Sequence, residues 1–175
     1  MAKMRIISGI YKNKEILTPD SGKTHPMGSR EKLALFNMIL PYLPGKTVLD
    51  AFAGSGALGF ESLSRGAKNV VFVEKDPRAV EILKKNLKNL GPEAEKSGKI
   101  LKLDIDKFEP GEKFDLIFAD PPYDKFEKAQ IERLFSLLNP GGRLILSSPE
   151  PVDFPGVSLE KSRKYAGCII SIFVV

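Results

Sequence analysis

Val48-Leu49-Asp50-Ala51-Phe52-Ala53 runs directly into Gly54-Ser55-Gly56-Ala57-Leu58-Gly59, and this dodecapeptide decides the fold. The first half reads as a buried strand, and the glycines turn it into a helix. Such a loop lets a ligand approach the backbone closely and presents helix N-terminal N–H groups to it. The next strand, Asn69-Val70-Val71-Phe72-Val73, ends in Glu74, placed to accept hydrogen bonds from both hydroxyls of a ribose. Strand, glycine loop, helix, strand and acid together open a parallel α/β sheet.

Gly54, Gly56 and Gly59 spell G-x-G-x-x-G, so a nicotinamide-dependent oxidoreductase competes as a reading. Three features favour a methyl donor instead. Asp50 stands at the strand end, where it can accept from the ammonium of an amino-acid-bearing cofactor but would repel a pyrophosphate. The only histidine, His25, precedes the first strand of the sheet, so no hydride-transfer acid follows downstream. The third feature is Asp120-Pro121-Pro122-Tyr123, after the apolar run Phe114 to Ala119.

That tetrapeptide has its own physical logic. Prolines fix φ and remove two backbone donors, so nearby carbonyls face outward with little internal competition. The Asp120 carboxylate and the Pro121 carbonyl then form a rim of acceptors beside the Tyr123 ring. A planar base with an exocyclic amine fits such a rim. A plain Pro-rich turn after a strand is the bland alternative.

Outward from these motifs, strands are expected near 47–53, 69–74, 99–104, 114–119 and 142–147, with helices near 57–65, 77–90 and 126–138. Asn139-Pro140-Gly141-Gly142 reads as a turn, and two closing strands are expected near 157–164 and 168–174. Upstream, Met4 to Ser8 and Glu15 to Thr18 flank a basic hairpin turn. A helix capped by Ser29 follows, with Leu33, Phe36, Ile39 and Leu40 on its core side. The fold class is thus α/β: a Rossmann-like, mostly parallel seven-stranded sheet ending in a β-hairpin, plus a small N-terminal β-hairpin extension. Residues 1–28 form the basic extension and 29–175 the catalytic domain.

The 175 residues are 42% hydrophobic and 28% charged, as in ordinary globular chains. No apolar run approaches a membrane span, and the N-terminus lacks a signal-peptide core. The single cysteine, Cys168, fits a reducing compartment and reads as a core residue. The expectation is a cytoplasmic, monomeric, metal-free protein. Charge is uneven: residues 1–46 hold eight Lys/Arg against three Asp/Glu, and the remainder holds nineteen of each. The formal net charge of +5 therefore belongs to the first quarter of the chain, an electrostatic footprint for phosphates.

Asp50 to Gly59, Glu74 with Asp76, and Asp120 to Tyr123 resemble the central motifs of S-adenosylmethionine-dependent methyltransferases acting on exocyclic amines. Met4-Arg5-Ile6-Ile7-Ser8-Gly9 with Tyr11-Lys12, Ala34-Leu35-Phe36-Asn37 and Arg163-Lys164-Tyr165 narrow the resemblance to RsmD-type enzymes. Those enzymes methylate the N2 amine of one guanine in bacterial small-subunit (16S) ribosomal RNA. The resemblance implies S-adenosyl-L-methionine as cofactor, and ribosomal RNA, the small subunit or its assembly intermediate as partner. It implies that Asp50, Gly54 and Gly56 hold the methionine part and Glu74 the ribose, with Phe52, Ser55 and Lys75 also in the cofactor site. Asp104 and Ile105 would lie at the adenine edge. Asp120, Pro121, Pro122 and Tyr123 would hold the target base.

Lys12, Lys14, His25, Arg30 and Lys32 are the candidate RNA contacts. The chain departs from the family where His25-Pro26-Met27 replaces Arg-Pro-Thr, and where Leu33 replaces an acid before Ala34. Two other functions remain open at this point: a DNA adenine-N6 or cytosine-N4 methyltransferase, and a non-catalytic RNA-binding assembly factor.

Overall fold

The computed structural model describes residues 2–19, 27–165 and 167–175. A two-stranded antiparallel hairpin, β1 (Ala2–Arg5) and β2 (Glu15–Thr18), is followed by α1 (Ser29–Ile39). Then come β3 (Thr47–Asp50), α2 (Ala57–Ser64), β4 (Asn69–Glu74), α3 (Pro77–Leu90), α4 (Pro92–Ser97) and β5 (Gly98–Lys102). The chain closes with β6 (Phe114–Ala119), α5 (Lys128–Phe135), β7 (Leu138–Ser148), β8 (Ser158–Tyr165) and β9 (Cys168–Val174). The seven-stranded sheet has the order β5-β4-β3-β6-β7-β9-β8. β3 through β7 run parallel, while β9 is antiparallel to both β7 and β8.

This order fixes where a ligand can sit. From β3 the chain first builds outward through β4 and β5, then returns to place β6 on the other flank. The reversal opens a crevice between the C-terminal ends of β3 and β6. Two buried clusters cover the sheet's faces. One gathers α1, α2 and α3 residues over Val48, Phe118 and Ile172, and the other sets Ile131 and Leu134 of α5 against Ile117, Leu144 and Phe173.

Local chemistry explains the elements. α3 is capped by Asp76, whose carboxylate accepts from the N–H groups of Arg78 and Ala79 at 2.7 and 3.1 Å, with Pro77 at the first helical position. α2 lies tight on β4 because Gly59 has no side chain: a β-carbon there would run into the Phe72 ring. Gly59→Ala gains about 1 kcal/mol of helix propensity. Overpacking at such a contact costs about 1–3 kcal/mol, so a net loss of stability is expected, read as a lower urea midpoint. Adding Phe72→Leu should recover part of it.

The hairpin is docked by directed hydrogen bonds as well as by the buried Ile6 and Ile16. The Tyr11 N–H donates to Ser64 Oγ at 2.9 Å, and that hydroxyl donates to the Ser8 carbonyl at 2.5 Å. Asn86 of α3, fully buried, accepts from the Leu17 N–H at 2.8 Å and donates to the Leu17 carbonyl at 2.9 Å. It also donates to the Ser55 carbonyl at 3.0 Å, joining β2 to the glycine loop.

Several expectations need correction. Ser29 is the first helical residue rather than the cap; Gly28 occupies that position and offers no side-chain bond. The buried face of α1 is Lys32, Leu35, Phe36 and Ile39, one residue round from the expected stripe. Leu33 and Leu40 are 42% and 48% exposed. The rotation follows from Glu61, a fully buried carboxylate on α2 that draws Lys32 inward. Asn139 to Gly142 belongs to β7 as a bulge: Phe114 pairs with Leu138, but Leu116 pairs with Arg143. α4 had no counterpart in the sequence expectation, and α5 is shorter than the 126–138 span because Phe126 and Glu127 are extended and Leu138 already belongs to β7.

Candidate active site

Three carboxylates stand at the C-terminal ends of the three adjacent strands β4, β3 and β6. Asp50 is the last residue of β3, Glu74 the last of β4, and Asp120 follows the last of β6. Asp50 is 2% exposed and its Oδ2 accepts from the Gly59 N–H at 3.0 Å. Burial pushes its carboxyl up to about 7 against that hydrogen bond, and the nearby Asp120 and Glu74 charges add to the rise. Burial likewise lifts Asp120 to about 6, with the Ser147 hydroxyl drawing it down. No cation pairs with any of the three among the described residues.

The glycine loop sits between Asp50 and Glu74. Gly54 and Gly56 have φ of 53° and 83°, a left-handed path that turns the strand into α2. A β-carbon on Gly54 would meet nothing within 4 Å, so the loop is open at that point. Glu74 braces it: Oε2 accepts from the Gly54 N–H and Oε1 from the Asp76 N–H, both at 2.8 Å. Phe52 and Ser55 are half-buried beside it. Lys75 is exposed and paired with Asp104 at 3.0 Å, which raises the ammonium and lowers the carboxyl. Asp104 Oδ1 also accepts from the Asp106 N–H at 3.2 Å, and Ile105 is buried with its carbonyl bonded to Arg133 at 2.8 Å.

S-adenosylmethionine carries two positive charges, a sulfonium and an ammonium. A crevice with three unpaired carboxylates and an open glycine backbone fits that charge pattern, whereas a pyrophosphate would meet like charge. Asp50, Glu74, Asp104 and the Gly54–Gly56 backbone are the groups able to hold it.

Across the crevice, Pro121 is buried and Tyr123 is 38% exposed. The Pro122 carbonyl accepts from the Lys125 N–H at 2.9 Å, while no donor reaches the Pro121 carbonyl among the described residues. The Pro121 carbonyl next to Asp120 thus keeps its acceptor capacity among the described residues. Tyr123 Oη lies 2.5 Å from Ser147 Oγ. Burial pushes the phenol upward, opposed by Ser147 and assisted by Asp120. Cys168, expected in the core, packs against it while half-buried, and it also borders this site, where burial raises its thiol and Tyr123, Asp120, Ser147 and Glu31 act on it.

Ser147 went unnoticed in the sequence. Its signal is the change from Leu144-Ile145-Leu146 to hydroxyl residues at the C-terminal end of a central strand. Of the RNA candidates, Lys12, Lys14 and Arg30 are exposed. His25 lies outside the described residues. Lys32 must be withdrawn from that set: its side chain is 1% exposed and bound to Glu61 at 3.3 Å. A depression lined by Tyr42, Lys46, Asp115 and Arg143 opens near the start of β3 and the β7 bulge, away from this crevice.

The family described as "Conserved hypothetical protein 95" matches residues 4–172. A Bacillus subtilis protein named "Putative rRNA methyltransferase YlbH" is 34% identical, over 91% of this chain and 100% of that one. The "Ribosomal RNA small subunit methyltransferase D" of Haemophilus influenzae is 40% identical over 69% of this chain, and the match spans 64% of that protein's length. The solved structure titled "Putative methyltransferase yhhF from Escherichia coli" superposes with a TM-score of 0.87 at 26% identity, covering 99% of this chain and 98% of that one. With its glycine loop, carboxylates and Asp120-Pro121-Pro122-Tyr123 rim gathered in one crevice, the chain belongs to this family, the RsmD-type methyltransferases.

Proposed function

We propose that this protein transfers a methyl group from S-adenosylmethionine to the exocyclic N2 amine of a guanine in small-subunit ribosomal RNA. One observation carries the reading: Asp120 leaves β6 beside the end of β3, so the Asp120–Tyr123 rim stands at the strand end next to Asp50 and its glycine loop. The names of the relatives support ribosomal RNA as the substrate class. The protein acts as a cytoplasmic monomer on the small subunit, its assembly intermediate or the naked RNA. Residues 1–28 form an RNA-facing extension of the methyltransferase domain, 29–175.

When bound, S-adenosylmethionine supplies an electrophilic methyl group on a sulfonium. Asp50 and the Gly54 and Gly56 backbone hold its methionine part, with Phe52 and Ser55 alongside. Glu74 takes the ribose, next to Lys75, and Asp104 and Ile105 take the adenine edge. Asp120 and the Pro121 carbonyl accept the two hydrogens of the target amine. An amine conjugated to its ring is a poor nucleophile, and holding both hydrogens favours a pyramidal nitrogen with its lone pair aimed at the methyl carbon. Tyr123 stacks on the base, which leaves its own stack to enter. The bound donor would supply the methyl group and leave as the neutral thioether, and the methylated amine would give up one proton to solvent. Asp120 orients the amine rather than acting as a strong base.

The test supplies methyl-labelled S-adenosylmethionine with unmodified small subunits, naked ribosomal RNA or DNA, followed by digestion to nucleosides. Label in N2-methylguanosine is the expected result. Label only in DNA would replace the substrate, and bound cofactor without any transfer would make the chain a binding factor.

Lys12, Lys14 and Arg30 contact phosphates in this reading. Neutralising all three should reduce the slope of log affinity against log salt by about 2, since each contact on single-stranded nucleic acid contributes about 0.7. An unchanged slope would remove them from the interface.

A further inference from the structure

We infer that Ser147 is a positioning residue of the base pocket: its hydroxyl ties the Tyr123 phenol to the Asp120 carboxylate, so that ring and carboxylate meet the base as one unit. This rests on the methyl-transfer reading above.

The sheet itself creates the juxtaposition. Ala119 of β6 pairs with Leu146 of β7 in parallel register, so the residues that follow, Asp120 and Ser147, emerge side by side. On its other flank Ser147 pairs with Ile170 of β9, the strand that begins at Cys168. Ser147 is 3% exposed, so solvent cannot satisfy its hydroxyl. The Tyr123 phenol oxygen is 2.5 Å away.

A serine hydroxyl carries one hydrogen and accepts through its lone pairs. If Tyr123 donates to Ser147, the serine hydrogen is free to go to Asp120, and all three groups are satisfied at once. The β6–β7 register that sets Ser147 next to Asp120 permits that arrangement.

A buried serine more commonly turns its hydroxyl onto a nearby backbone carbonyl. The next residue does so: Ser148 Oγ donates to the Glu150 carbonyl at 2.7 Å, and Ser62 donates to the Leu58 carbonyl at 2.9 Å. Among the described residues Ser147 has no backbone partner; its Oγ pairs with Tyr123 Oη, and the β6–β7 register stands it beside Asp120. Tyr123 is partly exposed on a one-turn 3-10 segment. Without an anchor its ring would be free to leave the orientation that stacking requires, at a cost to the near-attack geometry.

Ser147→Ala removes only the hydroxyl and keeps a small β-carbon at the buried position. Three quantities decide the matter: kcat on the RNA substrate, cofactor affinity, and the titration of the Asp120 carboxyl followed by carbon-13 NMR in the protein alone. The expected result is a fall in kcat of about tenfold, the size of one lost hydrogen bond. Cofactor affinity should be unchanged and the Asp120 midpoint should rise. Ser147→Thr, which keeps the hydroxyl, should restore both. Tyr123→Phe should show a similar loss, and the Ser147→Ala/Tyr123→Phe double variant should lose no more than either alone. An unmoved Asp120 midpoint, or losses that simply add, would overturn the inference. If the wild-type protein methylates no RNA, the functional reading falls, while the NMR titration still decides whether Ser147 serves Asp120.

Discussion

Asp120→Ala is expected to lower methyl transfer to RNA by about 10²–10³-fold or more while cofactor affinity stays within a few-fold of wild type. The magnitude is that of losing a preorganised electrostatic partner of the reacting group. The separation of effects follows from placement: Asp120 leaves β6 beside Tyr123 and Ser147, whereas Asp50 and Glu74 bind the glycine loop. Asp120→Asn retains one acceptor oxygen and should fall between the two. Single-turnover rates and cofactor titration measure the pair. An equal loss of cofactor binding would refute the division of roles.

The same residue sets a pH dependence. Asp120 accepts the amine hydrogens fully only when ionised, and burial lifts its carboxyl to about 6. kcat at saturating cofactor should therefore rise with pH through about 6 and level off above it. In Asp120→Asn that acid limb should vanish, because the amide does not titrate. A limb that persists unchanged would assign it to another group.

The second large effect concerns stability. Glu61 is fully buried on α2, with Lys32 at 3.3 Å, Arg65 against its other oxygen, and the Ile7 N–H donating to it at 2.5 Å. Arg65 also stacks 4.4 Å over the Phe36 ring. Glu61→Ala would leave two buried cations and an orphaned N–H. Breaking a buried pair in this way costs about 3–5 kcal/mol. Against a typical total of about 5–15 kcal/mol, that is a large share. Urea unfolding should show it as a strongly reduced midpoint, with the hairpin most affected because Glu61 binds its backbone. Burial, with Arg65 nearby, already holds Lys32 down at about 8, so this lysine can give up its charge more cheaply than Arg65. Glu61→Ala combined with Lys32→Met should regain part of the loss. A single-variant change under about 1 kcal/mol would show that the cluster contributes little.

Strand–glycine–helix punctuation and apolar runs are local, and they made the architecture legible in advance. β4, β6, α3 and β9 begin and end where the sequence placed them. The first turn of α3 was readable because Asp76-Pro77 is a cap and a first helical residue in one dipeptide. The crevice motifs were legible for the same reason: Asp50, Glu74 and Asp120 mark strand ends by breaking apolar runs.

What the sequence by itself determined, then, is the set of elements and the ends at which chemistry-bearing residues fall, because periodicity and turn residues act over a few positions. Tertiary structure alone decided which residues meet. Lys32 reads as one more basic residue of a charged N-terminal region, and only the approach of α1 to α2 buries it on Glu61. Cys168 reads as core and Ser147 as a strand end; the parallel pairing of β7 with β6 sets Ser147 beside Asp120, and the antiparallel closure of β9 on β7 brings Cys168 to the same place. Asn86 reads as a polar helix residue, yet it joins β2 to the glycine loop. These contacts link positions 24 to 69 residues apart, apart from the adjacent-strand pair of Ser147 and Cys168. Chain proximity says nothing about such pairs; sheet order and helix packing select them.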